Sequence, residues 1–172
     1  MAVAFLLFQA QGILAAVHFR CLIGEARVAA IWRHVYWSGP GNVIMLAGFY
    51  AIYQTKIANG KDHFTTLHAK VGLATMVMSI GAQFGGAMSF RAIGLLDKFP
   101  AAMRPLIKTA HRNAGSVAWL MGLATIELSL CYPSMAKGAY TPLLQAGVAF
   151  MGAAMVGMSL LGQPMSAKSK AQ

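Results

Sequence analysis

Five long apolar runs, separated by short clusters of polar and basic residues, organise this chain from end to end. They cover roughly Ala2–Val17, Ile31–Thr55, Leu67–Phe90, Ala110–Cys131 and Tyr140–Leu161. A helix needs about 20 apolar residues to cross the hydrocarbon core of a bilayer, and the first run reaches that length only by continuing into Phe19–Ile23. A spanning backbone in lipid has to satisfy its own hydrogen bonds, which runs of this length do as helices and not as barrel strands. The predicted fold class is therefore all-α, a polytopic membrane bundle of about five transmembrane helices. The breaks between runs are turn chemistry. Asn59-Gly60-Lys61-Asp62 reads as a polar turn, Pro100 and Pro105 bracket the longest loop at Arg91–Thr109, and Pro133 closes the fourth run. That loop is too short for a soluble domain. The chain reads as a single transmembrane helical domain over 1–165, followed by a basic, solvent-exposed tail over 166–172.

Composition reinforces the pattern. Apolar residues make up 58% of the 172 positions and charged residues 10%, where a water-soluble domain carries about 25% charged residues. The net charge of +10 is not gathered into a nucleic-acid-binding patch, because the basic residues fall in the gaps between apolar runs. The expected surroundings are membrane lipid, with other membrane subunits or a second copy of the chain as possible neighbours, and no nucleic acid. One face would carry Arg20, Arg27, Arg33, Arg91, Lys98, Arg104, Lys108, Arg112, Lys168 and Lys170; the other only Lys56, Lys61, Lys70 and Lys137. By the positive-inside rule the richer face, with the C-terminus, lies on the negative side of an organellar or endomembrane bilayer, equivalent to cytoplasm, matrix or stroma. Met1 leads straight into apolar sequence, so no cleavable signal pattern is read, and an internal boundary of a processed precursor is equally compatible. Cys21 and Cys131 fall near opposite faces, which predicts neither a disulfide nor a zinc site.

Ionisable groups at span depth usually mark a function. His34, His68 and His111 each stand near the head of a span. Because successive spans alternate in direction, His34 and His111 share a face, whereas His68 belongs to the opposite one. Two imidazoles facing each other at one depth can ligate a metal or a haem iron, so His34 and His111 are the expected metal ligands and His68 an unmatched candidate. After His68 and His111 the sequence places a glycine at i+4, Gly72 and Gly115, on the same face one turn away. Such a glycine leaves room for a flat macrocycle, or lets helices pack closely with no cofactor at all; both readings stand. Ser79, Gly81, Ala82, Gly85 and Gly86 around Gln83 form a thin helix surface open to the same two readings. His63, in a polar turn, and His18, at a span end, read as structural.

Taken in order, these motifs resemble the cytochrome b-561 family of transmembrane haem proteins. The likeness runs from about Ile31 to Cys131. It rests on Arg33-His34 heading a span, His68 with Gly72, Gln83 with Gly85 and Gly86, then Pro100 and a basic loop, and finally Leu106-Ile107-Lys108 before His111 and Gly115. The family is similar in having four core helices, each with one ligand histidine near its start, the first and third holding one haem b and the second and fourth another. Carried over, His34 resembles the second ligand, His68 the third and His111 the fourth. The resemblance implies haem binding at His34 and His111 with Gly72, Gly115 and His68 as further cofactor-binding positions. It also implies an ascorbate- or quinol-linked electron-transfer activity, an oxidoreductase role, with no catalytic side chain of its own.

The first ligand position falls just before Met1. A second haem is therefore either lost, cut off by processing or an incomplete sequence, or served by a substitute such as the Met1 thioether. Loss is the reading adopted, which leaves His68 hydrogen-bonded to another polar group. Glu127, a carboxylate in the fourth span, is the candidate partner, with Lys70 the alternative partner for Glu127 itself. Arg33, Arg104, Lys108 and Arg112 cluster beside the proposed haem; the family resemblance implies an anionic reductant there, and flanking charge or anionic lipid headgroups account for them as well. Two functions follow. One is electron transfer through a single haem on His34 and His111. The other is an accessory structural subunit of a large bioenergetic complex with a degenerate fold and no redox role, which the 12 Met residues and abundant small residues permit. A transporter is disfavoured, since no broken-helix pair or inverted repeat is visible.

Overall fold

The computed structural model describes residues 1–90, 93–132, 138 and 140–161. Arg91, Pro133, Lys137, Lys168, Lys170 and the predicted tail Ser166–Gln172 lie outside the described residues. Among the described residues all regular structure is helical. A π-helix at Ala4–Gln9 leads into α1 (Ala10–His18), which ends in a 3₁₀ turn at Phe19–Cys21. Then come α2 (Gly24–Ala58), α3 (Leu67–Ser89), a short 3₁₀ helix at Leu95–Lys98, α4 (Arg104–Leu130) and α5 (Thr141–Leu161). The stretches Ala4–Cys21, Leu67–Ser89 and Thr141–Leu160 are long and apolar enough to cross a membrane. The other two helices match the remaining apolar runs but carry polar side chains within them: Arg33, His34, Asn42 and Gln54 in α2, and His111, Arg112, Asn113 and Glu127 in α4. The protein is an integral membrane helix bundle.

Two helices, α2 and α4, begin well before their apolar stretches, whereas α3 and α5 match theirs to within a residue. α2 starts at Gly24 and α4 at Arg104, so His34 stands nearly three turns into its helix and His111 about two turns, by 3.6 residues per turn. Only His68, the second residue of α3, opens its helix as the sequence predicted. Hydropathy marks where lipid ends; a helix continues beyond it wherever water or headgroups solvate the side chains. Pro105 likewise belongs to the first turn of α4 and not to the loop, because its missing N–H has no partner to lose there. Thr66 caps α3, its hydroxyl accepting from the Ala69 N–H at 3.2 Å, and Gly60 turns the chain after α2 with φ +60°.

Two close hairpins make the bundle. In the first, α1 lies against α2 where Gly12 meets Ser38, whose hydroxyl occupies the space a methyl on Gly12 would need, and where Gly41 takes Phe8 and Gln9. In the second, α3 lies against α4. A methyl at Gly72 would stand 3.3 Å from Thr125 Cγ2, and the Thr75 and Thr125 hydroxyls are 3.3 Å apart. Small residues bring helix backbones together where lipid supplies no hydrophobic drive. At Gly72 the missing side chain leaves room for Thr125. α5 packs on α4 and, less, on α1. A thin buried core of Phe5, Met45, Met76, Trp119, Leu123, Val148 and Met155 joins the parts. Large apolar side chains such as Phe84 and Phe150 face outward, as a lipid-facing surface requires.

The loop before α4 is organised by Arg104. Its guanidinium donates to the Asp97 carboxylate, the Asp97 carbonyl and the Phe99 carbonyl, each at 3.0 Å. On the opposite side of the bundle, the turn into α3 is held by aromatic contacts, with His63 stacked on Tyr53 at 4.0 Å between centroids.

Candidate functional site

Each of the three span histidines is fixed by the helix it pairs with in its own hairpin. His34 on α2 places Nδ1 2.8 Å from the Gly12 carbonyl of α1. His111 on α4 places Nδ1 2.8 Å from the Ala82 carbonyl of α3, and His68 on α3 places Nδ1 2.9 Å from the Thr125 carbonyl of α4. A carbonyl only accepts, so the proton sits on Nδ1 and Nε2 keeps its lone pair for a metal. Backbone carbonyls of this kind orient a ligating imidazole and raise its basicity. No sequence pattern announces them, because every residue carries one.

His34 and His111 come together across the gap between the hairpins. Their ring centroids are 6.1 Å apart and their planes 68° apart, although the backbones of α2 and α4 scarcely approach. An imidazole nitrogen lies about 2 Å from a first-row metal it ligates and the ring centre about 1 Å further back, so two rings on opposite sides of one metal have centroids about 6 Å apart. The spacing fits a bis-imidazole centre. Around His111, Gly85 and Gly86 of α3 make room for the ring itself: a methyl at Gly86 would stand 3.0 Å from His111 Cε1 and one at Gly85 3.4 Å from its Cβ. Beyond the ring, nothing lies within 4 Å of where a methyl on Gly115 would be. Of the glycines read from the sequence, Gly115 faces open space and Gly72 does not. Among the described residues no three His, Cys, Asp or Glu side chains gather as a metal cage; a pair of imidazoles at this separation is one ligand set that suits a porphyrin-bound iron.

His68 does not join them. Thr125, which anchors it, is 14 residues along α4 from His111, about 21 Å along the helix axis. Glu127 is not its partner; the Thr125 carbonyl is, because a carbonyl of the facing helix lies directly against the ring. Glu127 Oε1 is buried without a hydrogen-bond partner among the described residues, so neither His68 nor Lys70 pairs with it. Of the four basic residues flagged beside the site, Arg104 is committed to its loop. Arg33, Lys108 and Arg112 are exposed. Outside the histidines, Arg27 lies over the Phe19 ring at 5.4 Å, and Phe19 meets His34 edge-on at 6.3 Å. Cys21 and Cys131 are free and exposed.

The family model described as eukaryotic cytochrome b561 matches residues 1–137. The chain belongs to that family. Membership makes this a transmembrane, haem-binding electron-transfer protein whose cofactor is haem of the b type. No curated relative and no solved structure matches the chain. The cytochrome b561 assignment extends further toward the N-terminus than the motifs from Ile31 onward, and takes in the first hairpin with its Gly12 anchor.

Proposed function

We propose that His34 and His111 are the residues that would hold one b-type haem, which would supply one-electron chemistry at the membrane face to which these residues belong. The observation that carries the reading is the pair itself: two imidazoles, each with Nδ1 tied to a carbonyl of its own hairpin, meeting 6.1 Å apart across a gap the backbones leave open. A haem bound from both sides by imidazole supplies one-electron chemistry with no coordination position left for oxygen. The chain's own part is to bring the two imidazoles together from separate hairpins and to keep protons on the Nδ1 atoms.

Arg33, Lys108 and Arg112 are the residues to meet an anionic reductant of the ascorbate kind or an anionic lipid headgroup, since they are exposed and hold no hydrogen bond or ion pair among the described residues. A quinol is the alternative donor. The distribution of Lys and Arg favours the negative side of the membrane for this face and the C-terminus.

The test is a reduced-minus-oxidised visible spectrum of the purified protein. A sharp α band of the b type that either His34→Ala or His111→Ala abolishes is the expected result. A colourless preparation, or a band indifferent to both substitutions, would overturn the assignment and leave an accessory structural subunit with an inherited fold.

A further inference from the structure

In the middle of α2, the carbonyl of Ser38 gathers three side-chain amides. Asn42 Nδ2 donates to it at 3.0 Å, Gln83 Nε2 at 3.1 Å and Gln9 Nε2 at 3.3 Å. Asn42 lies on the same helix and Gln9 within the same hairpin. Gln83 alone reaches over from α3, across a boundary where the α2 and α3 backbones approach at few places. Ser38 and Asn42 are buried, at 7% and 8% exposure, so these bonds lie away from water, where an unmatched amide or carbonyl is costly.

Both ends of this bridge touch the histidine pair. Ser38 stands one turn past His34, and its hydroxyl is 3.5 Å from His34 Nδ1. Ala82, the residue before Gln83, supplies the carbonyl that anchors His111. A continuous line of contacts therefore runs from His34 through Ser38 and Gln83 to Ala82 and His111. It is a polar tie between two hairpins that each hold one imidazole, and it lies beside the pair itself.

We propose that Gln83 is a positioning residue: its hydrogen bond to Ser38 sets how the α3/α4 hairpin sits against the α1/α2 hairpin, and so the angle between the two imidazole planes. The proposal rests on His34 and His111 being the axial pair. The angle has an electronic consequence. Planes near perpendicular keep the iron d orbitals that overlap the imidazoles nearly degenerate and give a low-spin ferric signal with a large principal g value. Planes nearer parallel split those orbitals and give a more rhombic signal. The 68° between the rings belongs toward the first case.

The experiment compares full-length protein in lipid nanodiscs with Gln83→Met, which keeps length and bulk but cannot donate, and with Gln9→Leu, which removes a bond to the same carbonyl inside one hairpin. In Gln83→Met the haem band persists while the largest g value and the midpoint potential both shift from those of wild type. Gln9→Leu leaves both where they were. The proposal is overturned if Gln83→Met is spectroscopically identical to wild type, or if Gln9→Leu moves the signal as far. Should Gln83→Met fail to fold, Gln83→Asn, with its amide one methylene too short, decides on the same readouts. Absence of a bis-imidazole signal in wild type, or its survival in His34→Ala, overturns the ligand assignment and the tie together; an unmoved signal in Gln83→Met overturns the tie alone.

Discussion

Trp119 of α4 donates its indole N–H to the carbonyl of Phe5 at 3.1 Å, 114 residues away in sequence. Phe5 lies in the π-helical segment, and its ring covers Gly122 so closely that a methyl there would overlap it. One bond and one ring thus seat the first helix on the fourth. Trp119→Phe keeps the aromatic bulk and removes the donor, and is expected to cost about 1–3 kcal/mol, the upper end applying if the buried carbonyl stays unpaired. A lowered thermal midpoint in detergent, with the haem band unchanged per folded protein, is the outcome to look for.

His68→Ala separates the histidines. His68 is anchored about 21 Å along α4 from His111 and contacts neither of the paired rings. The haem proposed for His34 and His111 is expected to persist in full in this variant. Haem per mole of protein, measured as the pyridine haemochrome, checks it; a fall by about half would mean that His68 ligates a second haem.

The glycines around the pair make opposite demands. At Gly86 an added methyl presses on His111 at 3.0 Å, so Gly86→Ala is expected to displace the imidazole and lower haem occupancy while the helices still form. Gly115→Leu enters space that the protein leaves open; loss of haem there, with no change in helicity, would identify that space as the macrocycle's. Gly81→Leu, also in open space but exposed, serves as the control and keeps its haem.

Glu127 presents a buried oxygen, Oε1, with no hydrogen-bond partner among the described residues. A polar group in that state costs about 1–3 kcal/mol, and a carboxylate at span depth is expensive in its own right. Glu127→Leu is therefore expected to raise the thermal midpoint. A variant that is stabilised yet reduced more slowly by ascorbate would show that the carboxylate serves electron transfer at the expense of stability.

The exposed cations divide from the committed one. Arg33→Gln, Lys108→Gln and Arg112→Gln together are expected to slow ascorbate reduction severalfold, with the difference fading at high salt because exposed charges are screened. Arg104→Gln instead frees Asp97 and Phe99, loosening the loop before α4. Stopped-flow reduction at two ionic strengths distinguishes the two behaviours.

Much of this was legible in the chain. The apolar runs located all five helices, and the alternation of their directions paired His34 with His111 and set His68 apart. What escaped were features that residue type does not encode. The carbonyls of Gly12, Ala82 and Thr125 anchor the histidines through the backbone, which is why Glu127 was read as the partner of His68. Gly72 and Gly115 occupy the same place relative to their histidines, yet one meets Thr125 and the other meets nothing; only the facing helix decides. Gln83 stood out as polar on a thin surface, but its tie to Ser38 depends on how two hairpins lie side by side. The starts of α2 and α4 lie six or seven residues before their apolar runs because hydropathy reports lipid thickness, which is shorter than those two helices, while the ends of α3 and α5 agree with their runs.

The π-helical lead-in also changes how spacing can be counted. A π turn takes in one residue more than an α turn, so side chains ahead of Ala4 are swung by about 100° around the axis from where an unbroken α-helix would aim them. The offset concerns the first helix alone, since His34 sits on α2 beyond the extended Leu22–Ile23 break, and it decides which face of that helix the Met1 end presents. For this bundle, azimuth has to be measured from the Trp119 side of Phe5 and not inferred from residue number.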